Sequence, residues 1–437
     1  MVQNIAIRKE RRMRARILLI LLFLSGLISL TNGQGFKDPF RFPEQSYIGG
    51  GLGVTWINNE PYTTFTIAPD IAIGKFGVGI YLQLLFDRNN DWKLRTIEYE
   101  NEAGIFRAIR YIRYGQKYDP LFFLVGSVER ANLAHGFLVW NYNNVSNYDQ
   151  RKIGLIADVD FDKFGVETVW SSVGRNDMRG FNFYFRPLRL FNNTTPVLNT
   201  LRLYGTYVRD SNVKSGANLD STRALTAYGL GADLQWLNIA TLRSTIYADY
   251  SKFVDYGNGQ ALGIDFVFPS FIGIFGLSAR FEKRFIGEQF VPSLFGPLHE
   301  LNRELGLFTF IENSPKVEGY FGELAGHILN RILLLGSYQS LNGIANSGVL
   351  HLEASAPTLI PRIELRGYYD KTGIETFEDA RTLDTNSILT AEASYQIYLF
   401  LYFNAIYRWY WEEDQDAPGV YNPVERFEPR VALRYNF

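Results

Sequence analysis

The sequence predicts an all-β protein that folds as a single transmembrane antiparallel β-barrel of about 20 strands, between 18 and 22. From Ser46 to Phe437 the chain consists mostly of short runs that alternate apolar and polar residues and end at turn residues. Aromatic residues make up 16% of the chain and glycine occurs 39 times against 3 methionines, which favours twisted strands over helices. Alternation alone does not name the solvent, so a soluble β-sandwich or propeller is the alternative.

The N-terminus has the composition of an export signal. The basic stretch "RKERRMRAR" precedes the apolar run "ILLILLFLSGLISL", which is shorter than the roughly 20 residues of a membrane-spanning helix. Thr31 and Gly33 lie three and one positions before Gln34, as small residues do around a cleavage site. We therefore expect a cleaved signal peptide over residues 1–33 and one barrel over residues 34–437, with an uncleaved anchor as the alternative.

The strands predicted by alternation have one apolar face and one face that carries charges of both signs. In "TLRSTIYADYS", for example, Leu242 and Ile246 share a face opposite Arg243 and Asp249. Lipid would penalise a charge at mid-depth by about 2 to 4 kcal/mol, so the charged face should line an aqueous lumen. The residues assigned to the lumen are Arg243, Asp249, Asp265, Arg280, Glu282, Arg284, Glu353, Arg362, Glu364, Arg366, Glu392, Arg408, Arg430 and Arg434.

The apolar faces end in large aromatic residues, and the connections alternate in length. Trp236, Tyr407, Trp409 and Trp411 lie near predicted strand ends, where a bilayer barrel places its interfacial aromatics. Short connections follow Phe161, Trp236, Ala356 and Tyr398, and long ones run from 87 to 119, 285 to 316, 371 to 386 and 412 to 424. The long set should face outward and the short set the periplasm.

Two of the long connections are candidates for an inward-folding constriction, with external lids as the alternative. One is Phe285 to Lys316, which is locally helical in pattern. The other is Asp87 to Asp119, where "AGIFRAIRYIRYG" has helical spacing and predicts an amphipathic helix rather than a strand. The constriction residues predicted in this second loop are Glu98, Glu100, Glu102, Arg107, Arg110 and Arg113.

The chain ends in the alternating strand "EPRVALRYNF". Together with the export signal and the serial amphipathic strands, this ending resembles bacterial outer-membrane β-barrel proteins, whose last strand and final aromatic residue are recognised by the barrel-assembly machinery. The resemblance implies location in the outer membrane of a Gram-negative bacterium and contact with its lipid. The assembly signal that it implies here consists of Val431, Leu433, Tyr435 and Phe437.

A second, shorter resemblance concerns "IRYIRYGQKYDPLFFLVGSVERANLAHGFLVWNYNN". This stretch is similar to a segment of uncharacterised outer-membrane proteins of Gram-negative bacteria. It covers only about residues 109–144 and implies no substrate.

The sequence contains no pattern that points to a cofactor, a metal or a catalytic centre. It has no cysteine, its four histidines lack metal-ligand spacing, and neither a phosphate-binding loop nor a G-x-S-x-G motif occurs. The formal net charge of −1 gives no sign of the basic surface that binds nucleic acid. His351, Glu353 and Ser355 share one strand face, but residues two apart on a strand lie too far from each other for good triad hydrogen bonds.

The function expected from these features is an outer-membrane channel for passive or selective passage of small polar solutes, with anionic solutes as the finer expectation. The lumenal charges could form a solute-facing arginine ladder or a neutralised lattice that fills the barrel. The alternative function is a non-transporting barrel that acts as a surface adhesin or as the anchor of an envelope complex, and a sealed lumen would favour it. Association into a homo-oligomer is left open.

Overall fold

The computed structural model describes residues 46–57, 59–96, 99, 104–117, 119–146, 151–191, 195–216, 219–271, 274–329, 331–414 and 420–436. Within them, every strand belongs to one antiparallel sheet, and the first strand pairs with the last, with Leu52 opposite Val431. The sheet is therefore a closed barrel. The predicted signal peptide and Phe437 lie outside the described residues.

The 23 strand segments of the sheet form 20 wall strands, because three wall strands are each built from two segments. The prediction of about 20 strands is thus confirmed. The strands are β1 Tyr47–Ile57, β2 Glu60–Ile67 with Asp70–Ile73, β3 Phe76–Ile80 with Leu82–Asp87, β4 Lys93–Leu94 with Ile109–Tyr114, β5 Leu121–Gly126, β6 Gly154–Asp160, β7 Phe164–Trp170, β8 Arg179–Phe185, β9 Arg202–Ser215, β10 Ser221–Ile239, β11 Leu242–Phe253, β12 Asn258–Phe271, β13 Phe275–Ile286, β14 Val317–Ile328, β15 Ile332–Leu341, β16 Gly348–Ile360, β17 Ile363–Ile374, β18 Ser387–Tyr398, β19 Leu401–Glu413 and β20 Tyr421–Asn436.

Helical structure in the described residues is limited to short pieces, four of them α-helical where one or two were expected. They are α1 Pro187–Leu190, α2 His299–Asn302, α3 Leu307–Glu312 and α4 Phe377–Arg381, with 3-10 turns at Gly104–Ala108 and Leu198–Thr200. None of these helices is long and apolar enough to cross a membrane.

The amphipathic helix predicted in "AGIFRAIRYIRYG" is wrong, because only a 3-10 turn forms there and residues 109–114 belong to wall strand β4. A regular strand would turn Arg110 toward lipid. Instead, Ile80 pairs with Ile109 and Gly79 with Tyr111, which leaves Arg110 as the extra residue of a β-bulge. The bulge lets neighbouring side chains point the same way.

Arg110 and Tyr111 consequently reach the same buried carboxylate, that of Asp70 in β2. The Tyr111 hydroxyl donates to Oδ1 at 2.6 Å, and the Arg110 guanidinium pairs with Oδ2. The side chain of Asp70 is fully buried. The bulge therefore satisfies a buried charge and keeps an arginine out of the membrane.

The barrel is apolar outside and polar inside, the reverse of a soluble protein. Leu230, Leu262, Phe281 and Leu324 point outward on four different strands with more than half of their surface exposed. The buried residues on the inner face include Asp249, Asp265, Glu282 and other charged groups. This inversion favours the membrane barrel over the soluble alternatives.

Most of the predicted outward aromatic and terminal residues lie on the outer face. Val431, Leu433 and Tyr435 alternate outward along β20, and Trp236 is exposed near the end of β10. Tyr407 and Trp409 share the outward parity of β19. Trp411 was wrongly placed among the interfacial aromatics: it is buried against Leu298, Leu301 and Ile388, because chain from inside the barrel covers it.

The four predicted short connections lie at the barrel end where β1 begins and β20 ends. Turns at 161–163, 240–241, 361–362 and 399–400 make up the predicted short set. One residue assigned to the lumen falls in such a turn: Arg362 is exposed, with φ of 67°, so it ends a strand instead of lining the wall. The alternating pattern assigned Arg362 to the lumen because it did not show that β16 extends to Ile360 and that the turn therefore falls at residues 361–362.

We expect the variant Asp70→Asn to lower the free energy of unfolding by about 2 kcal/mol, because it weakens two hydrogen bonds to a buried charge. The measurement is the temperature at which the refolded barrel loses its faster gel migration in detergent. The matched variant Asp91→Asn, in an exposed turn, should leave that temperature unchanged. Equal unfolding temperatures for both variants would contradict the role given to the bulge.

Candidate lumenal site

Two stretches of chain leave the wall and fold into the lumen, residues 127–146 after β5 and residues 287–316 after β13. The first touches inward side chains of β10, β12, β14 and β16, namely Asp233, Asp265, Glu323 and Glu353. It therefore crosses the interior of the barrel. We call these stretches inner segment 1 and inner segment 2, and together the plug.

The two inner segments are held to each other by backbone hydrogen bonds and a shared apolar core. The Ser293 amide donates to the Phe137 carbonyl at 2.8 Å, and Val139 and Phe295 form a parallel bridge. The plug therefore has the build of a small folded unit inside the barrel. Its buried apolar residues include Leu133, Phe137, Leu138, Val139, Phe290, Leu294, Phe295, Leu307, Phe308 and Ile311.

His135, at the tip of inner segment 1, anchors the plug to the wall. Its ring nitrogens lie 3.1 Å from an oxygen of Asp233 and 3.5 Å from an oxygen of Asp265, and the Arg280 guanidinium donates to its carbonyl at 2.9 Å. Burial by itself would lower the pKa of His135, but the two carboxylates outweigh it and raise the pKa to about 9. The imidazolium is thus the stable form at neutral pH.

An aromatic side chain of the wall stacks on this imidazolium. The Tyr247 ring stacks on the His135 ring with centroids 3.8 Å apart and planes 4° from parallel. Tyr247 can lie flat because Gly263 stands opposite it on β12, where a Cβ atom would come within 2.1 Å of the tyrosine ring. A glycine on the neighbouring strand therefore shapes the anchor site.

Inner segment 2 has an ionic anchor of its own near α2. His299 Nε2 lies 2.8 Å from Asp210 Oδ2 on β9, and Arg303 pairs with the other oxygen of that carboxylate at 3.0 Å. Burial alone would raise the pKa of Glu300, but Lys152 and Arg303 lower it to about 2. The plug is thus fixed at both ends to charged groups of the barrel.

The structure divides the predicted lumenal charges into two groups. The first lies beneath the plug: Glu282 and Arg284 pair at 2.6 Å with side chains that are 0% and 1% exposed. Asp265 and Arg280 pair at 2.9 Å, and Asp249 accepts from the Tyr204 hydroxyl at 2.7 Å. These residues form buried ion pairs and hydrogen bonds. Arg243 lies on the inward parity of β11, near its turn end.

The second group lines the opposite wall, from β16 to β20. Each arginine there has a carboxylate partner, and Glu364, Glu392 and Arg434 keep 23%, 27% and 26% of their side-chain surface exposed. The part of the lumen that they border is therefore open to water. The pairs are Arg130 with Glu353, Arg366 with Glu129, Arg434 with Glu364, Arg408 with Glu392, and Arg430 with Glu428.

A cleft that opens toward the lumen lies where the plug meets this open wall. Arg130 and Asn141 of inner segment 1 form one side, and His351, Glu353 and Asp370 form the other. His351, Glu353 and Ser355, which share one strand face, do not form a catalytic triad. His351 Nδ1 bonds to Asp370 at 2.8 Å, and Ser355 Oγ has no hydrogen-bond partner among the described residues.

Of the two loops proposed to fold inward, the one after Phe285 does so as inner segment 2. The stretch from Asp87 to Asp119 instead contributes strand β4, with Arg107 and Arg113 buried and Arg110 paired with Asp70. Glu98, Glu100 and Glu102 lie outside the described residues.

Inner segment 1 was not anticipated as an inward segment. Its sequence still contained a signal, because "NLAHGFLVWNYNN" is rich in large apolar residues, lacks period-2 alternation and is too long for a hairpin turn. An apolar connection of that kind has to be buried, and the lumen is the space that can take it.

No protein-family model matches the chain, and no curated protein does. Solved structures do match over most of its length. OccK2 of Pseudomonas aeruginosa, in complex with glucuronate, is 10% identical over 90% of this chain and 96% of its own, with a TM-score of 0.34. OccAB2 of Acinetobacter baumannii is 10% identical over 92% and 100%, with a TM-score of 0.31. CdiB of Acinetobacter baumannii is 8% identical with a TM-score of 0.27, and the chain spans 60% of its length.

The closed 20-strand wall, the apolar exterior and the charged interior define an outer-membrane β-barrel of the Gram-negative type. Within that class, the chain is a barrel whose lumen holds a two-segment plug.

The His135 anchor predicts a pH-dependent stability. Because the pKa is higher in the folded protein (about 9) than in the unfolded chain (6.5), the stabilisation is complete below pH 6.5 and is lost as the pH rises through 9. We expect a loss of about 3 kcal/mol over that range, measured as the unfolding temperature of the refolded barrel. The variant His135→Gln should make the profile shallower, and His327→Gln should leave it unchanged. A wild-type profile that is flat from pH 6 to pH 10 would contradict the anchor.

Proposed function

We propose that this barrel is a narrow channel through which small polar solutes cross the outer membrane along the wall from β16 to β20. The observation that carries the proposal is the one-sided filling of the lumen. The plug buries Asp249, Asp265 and Glu282 on β11 to β13. On the opposite wall, Glu364, Glu392 and Arg434 keep 23%, 27% and 26% of their side-chain surface in water. Other charged residues of that wall, such as Arg426 and Glu428, are buried. Water and polar solutes follow charged, hydrated walls.

The plug would set the size limit of this passage. Its apolar core and its two ionic anchors hold it in one place, so the space between plug and wall is narrow and off-centre. A passage of this shape discriminates by fit and by hydrogen bonding, whereas a wide pore discriminates mainly by size. We therefore propose selective rather than general diffusion.

An anionic solute, the finer expectation from the inward arginines, is less well supported. Every arginine of the open wall has a carboxylate partner, as Arg434 has Glu364 at 2.8 Å and Arg366 has Glu129 at 3.3 Å. The wall thus alternates in sign and offers no continuous positive surface. The proposal is for polar solutes without a preference for anions.

The plug also favours a second candidate function. A folded unit inside the lumen is what a non-transporting barrel would need to stay sealed, and outer loops such as residues 375–386 with α4 could then bind a partner. A surface adhesin or envelope-complex anchor would have this form.

Conductance in planar bilayers tests the two functions. We expect small, stable single-channel steps for the refolded protein and a shift toward cation selectivity in Arg434→Glu, because the variant places an unpaired carboxylate in the passage. The control is Glu318→Lys, a charge reversal on the outer face of β14 that should leave selectivity unchanged. A correctly folded barrel that stays silent would reject the channel and favour the anchor or adhesin.

We also propose that the outward residues of β20 act as the assembly signal, with Phe437 as its last residue. Removal of Phe437 or the variant Tyr435→Ala should lower the amount of folded barrel in the outer-membrane fraction of expressing cells. Asn436→Ala, on the polar face, is the matched control. Unchanged amounts in all three variants would argue against recognition of this strand.

A further inference from the structure

The cleft between inner segment 1 and the open wall carries mixed charges that are already paired with each other. Arg130 pairs with Glu353, Arg366 pairs with Glu129 at 3.3 Å, and His351 Nδ1 bonds to Asp370 at 2.8 Å. With the imidazolium form of His351 that the adjacent Asp370 favours, three cations face three carboxylates in the cleft. The cleft as a whole therefore presents no net charge.

Two buried polar atoms of this cleft lack a hydrogen-bond partner among the described residues, namely His351 Nε2 and Glu353 Oε2. Both side chains are at least 97% buried, and both line the cleft. The two atoms are 3.9 Å apart, too far for a direct hydrogen bond. Buried groups of this kind cost free energy until a partner reaches them.

A hydroxyl group fits this pair of atoms. Asp370 lies 2.8 Å from Nδ1 and favours the imidazolium form of His351, in which Nε2 is a donor, while the carboxylate of Glu353 is an acceptor. A hydroxyl oxygen between them can accept from Nε2 and donate to Oε2 at the same time. Neither a carboxylate nor an ammonium group can do both.

We propose that the cleft is a binding site for a small, neutral, polyhydroxylated solute of the sugar or polyol class. The proposal deepens the channel function and rests on it, since it names the class of solute that the passage selects. A ligand carboxylate would meet Glu353, Asp370 and Glu129, and a ligand ammonium would meet Arg130 and Arg366. A charged ligand group of either sign would therefore lie next to a side chain of the same charge, which repels it. A ligand hydroxyl is not repelled and can bond to the donors and acceptors of the cleft.

The substituents of a hexose would find further partners around this central pair. Asn141 and Asn143 contribute amide groups, which both donate and accept, and Tyr368 adds an aromatic ring to the lining. Trp140 stands edge-on to the His351 ring at 5.7 Å and donates to Glu323 at 3.1 Å, which holds the histidine side of the cleft in place. The site is thus supported from the plug and from the wall.

The test compares three ligands that share one ring and differ in charge: glucose, glucuronate and glucosamine. Binding to the refolded full-length barrel in detergent micelles is measured by calorimetry at pH 7. We expect glucose to bind at least about tenfold more tightly than either charged analogue, which is a difference of about 1.4 kcal/mol. Glu353→Gln and His351→Gln should each weaken glucose binding several-fold, and Glu318→Gln on the outer face should not. Retained heat-modifiable gel migration shows that each variant is folded.

A second arm separates this proposal from the channel function. Swelling of liposomes that contain the barrel reports flux of the same three ligands. Flux without preference for glucose, or equal binding of glucuronate, overturns the neutral-solute site and leaves the channel intact. Glucose binding without flux supports the site and overturns the channel. Absence of glucose binding in a folded barrel overturns the site whatever the flux.

Discussion

The need to satisfy charges on the inner face of the wall is the constraint on which the rest of this structure depends. A barrel of 20 strands encloses more space than side chains of the wall alone can fill, and a charge left in a dry part of it is costly. The plug meets this demand by bringing partners to the wall. His135 lies between Asp233 and Asp265, and Arg303 reaches Asp210. The same contacts that neutralise the wall also hold the plug in position.

The wall strands differ in length around the barrel, and the plug fills one side of the lumen more than the other. Strands β5 to β8 have only 6 or 7 residues, whereas β10 has 19. Inner segment 1 starts directly after the first of these short strands, so chain that could have extended the wall fills the lumen instead. The filling is one-sided for this reason, and the hydrated charges remain on the wall from β16 to β20.

The cleft follows from the same asymmetry. It lies at the boundary between the plug and the open wall. The plug contributes Arg130 and Asn141 to its lining, and the wall contributes His351, Glu353 and Asp370. Neither part alone contains a complete site. Movement or loss of the plug would therefore change both the size of the proposed passage and the chemistry of its cleft, so the proposed selectivity would depend on the stability of the anchors.

The sequence by itself determined the barrel, its approximate strand number and the inward or outward side of most residues. Strand parity with period 2 is a local property, and it needs no knowledge of distant chain. Arg362 and Arg110 show where this reasoning ends. Arg362 lies in a turn whose position the pattern did not show. Arg110 lies in a β-bulge that interrupts the alternation and lets the guanidinium reach Asp70.

Only the tertiary structure decided which charges meet water. Glu282 and Glu364 have the same parity and the same residue type, yet one is sealed under the plug and the other borders the open lumen. The difference arises because inner segment 1, whose ends are near β5 and β6 in the chain, packs against β10 to β16 in space. Contacts over that sequence separation depend on the closure of the barrel, and no local pattern encodes them.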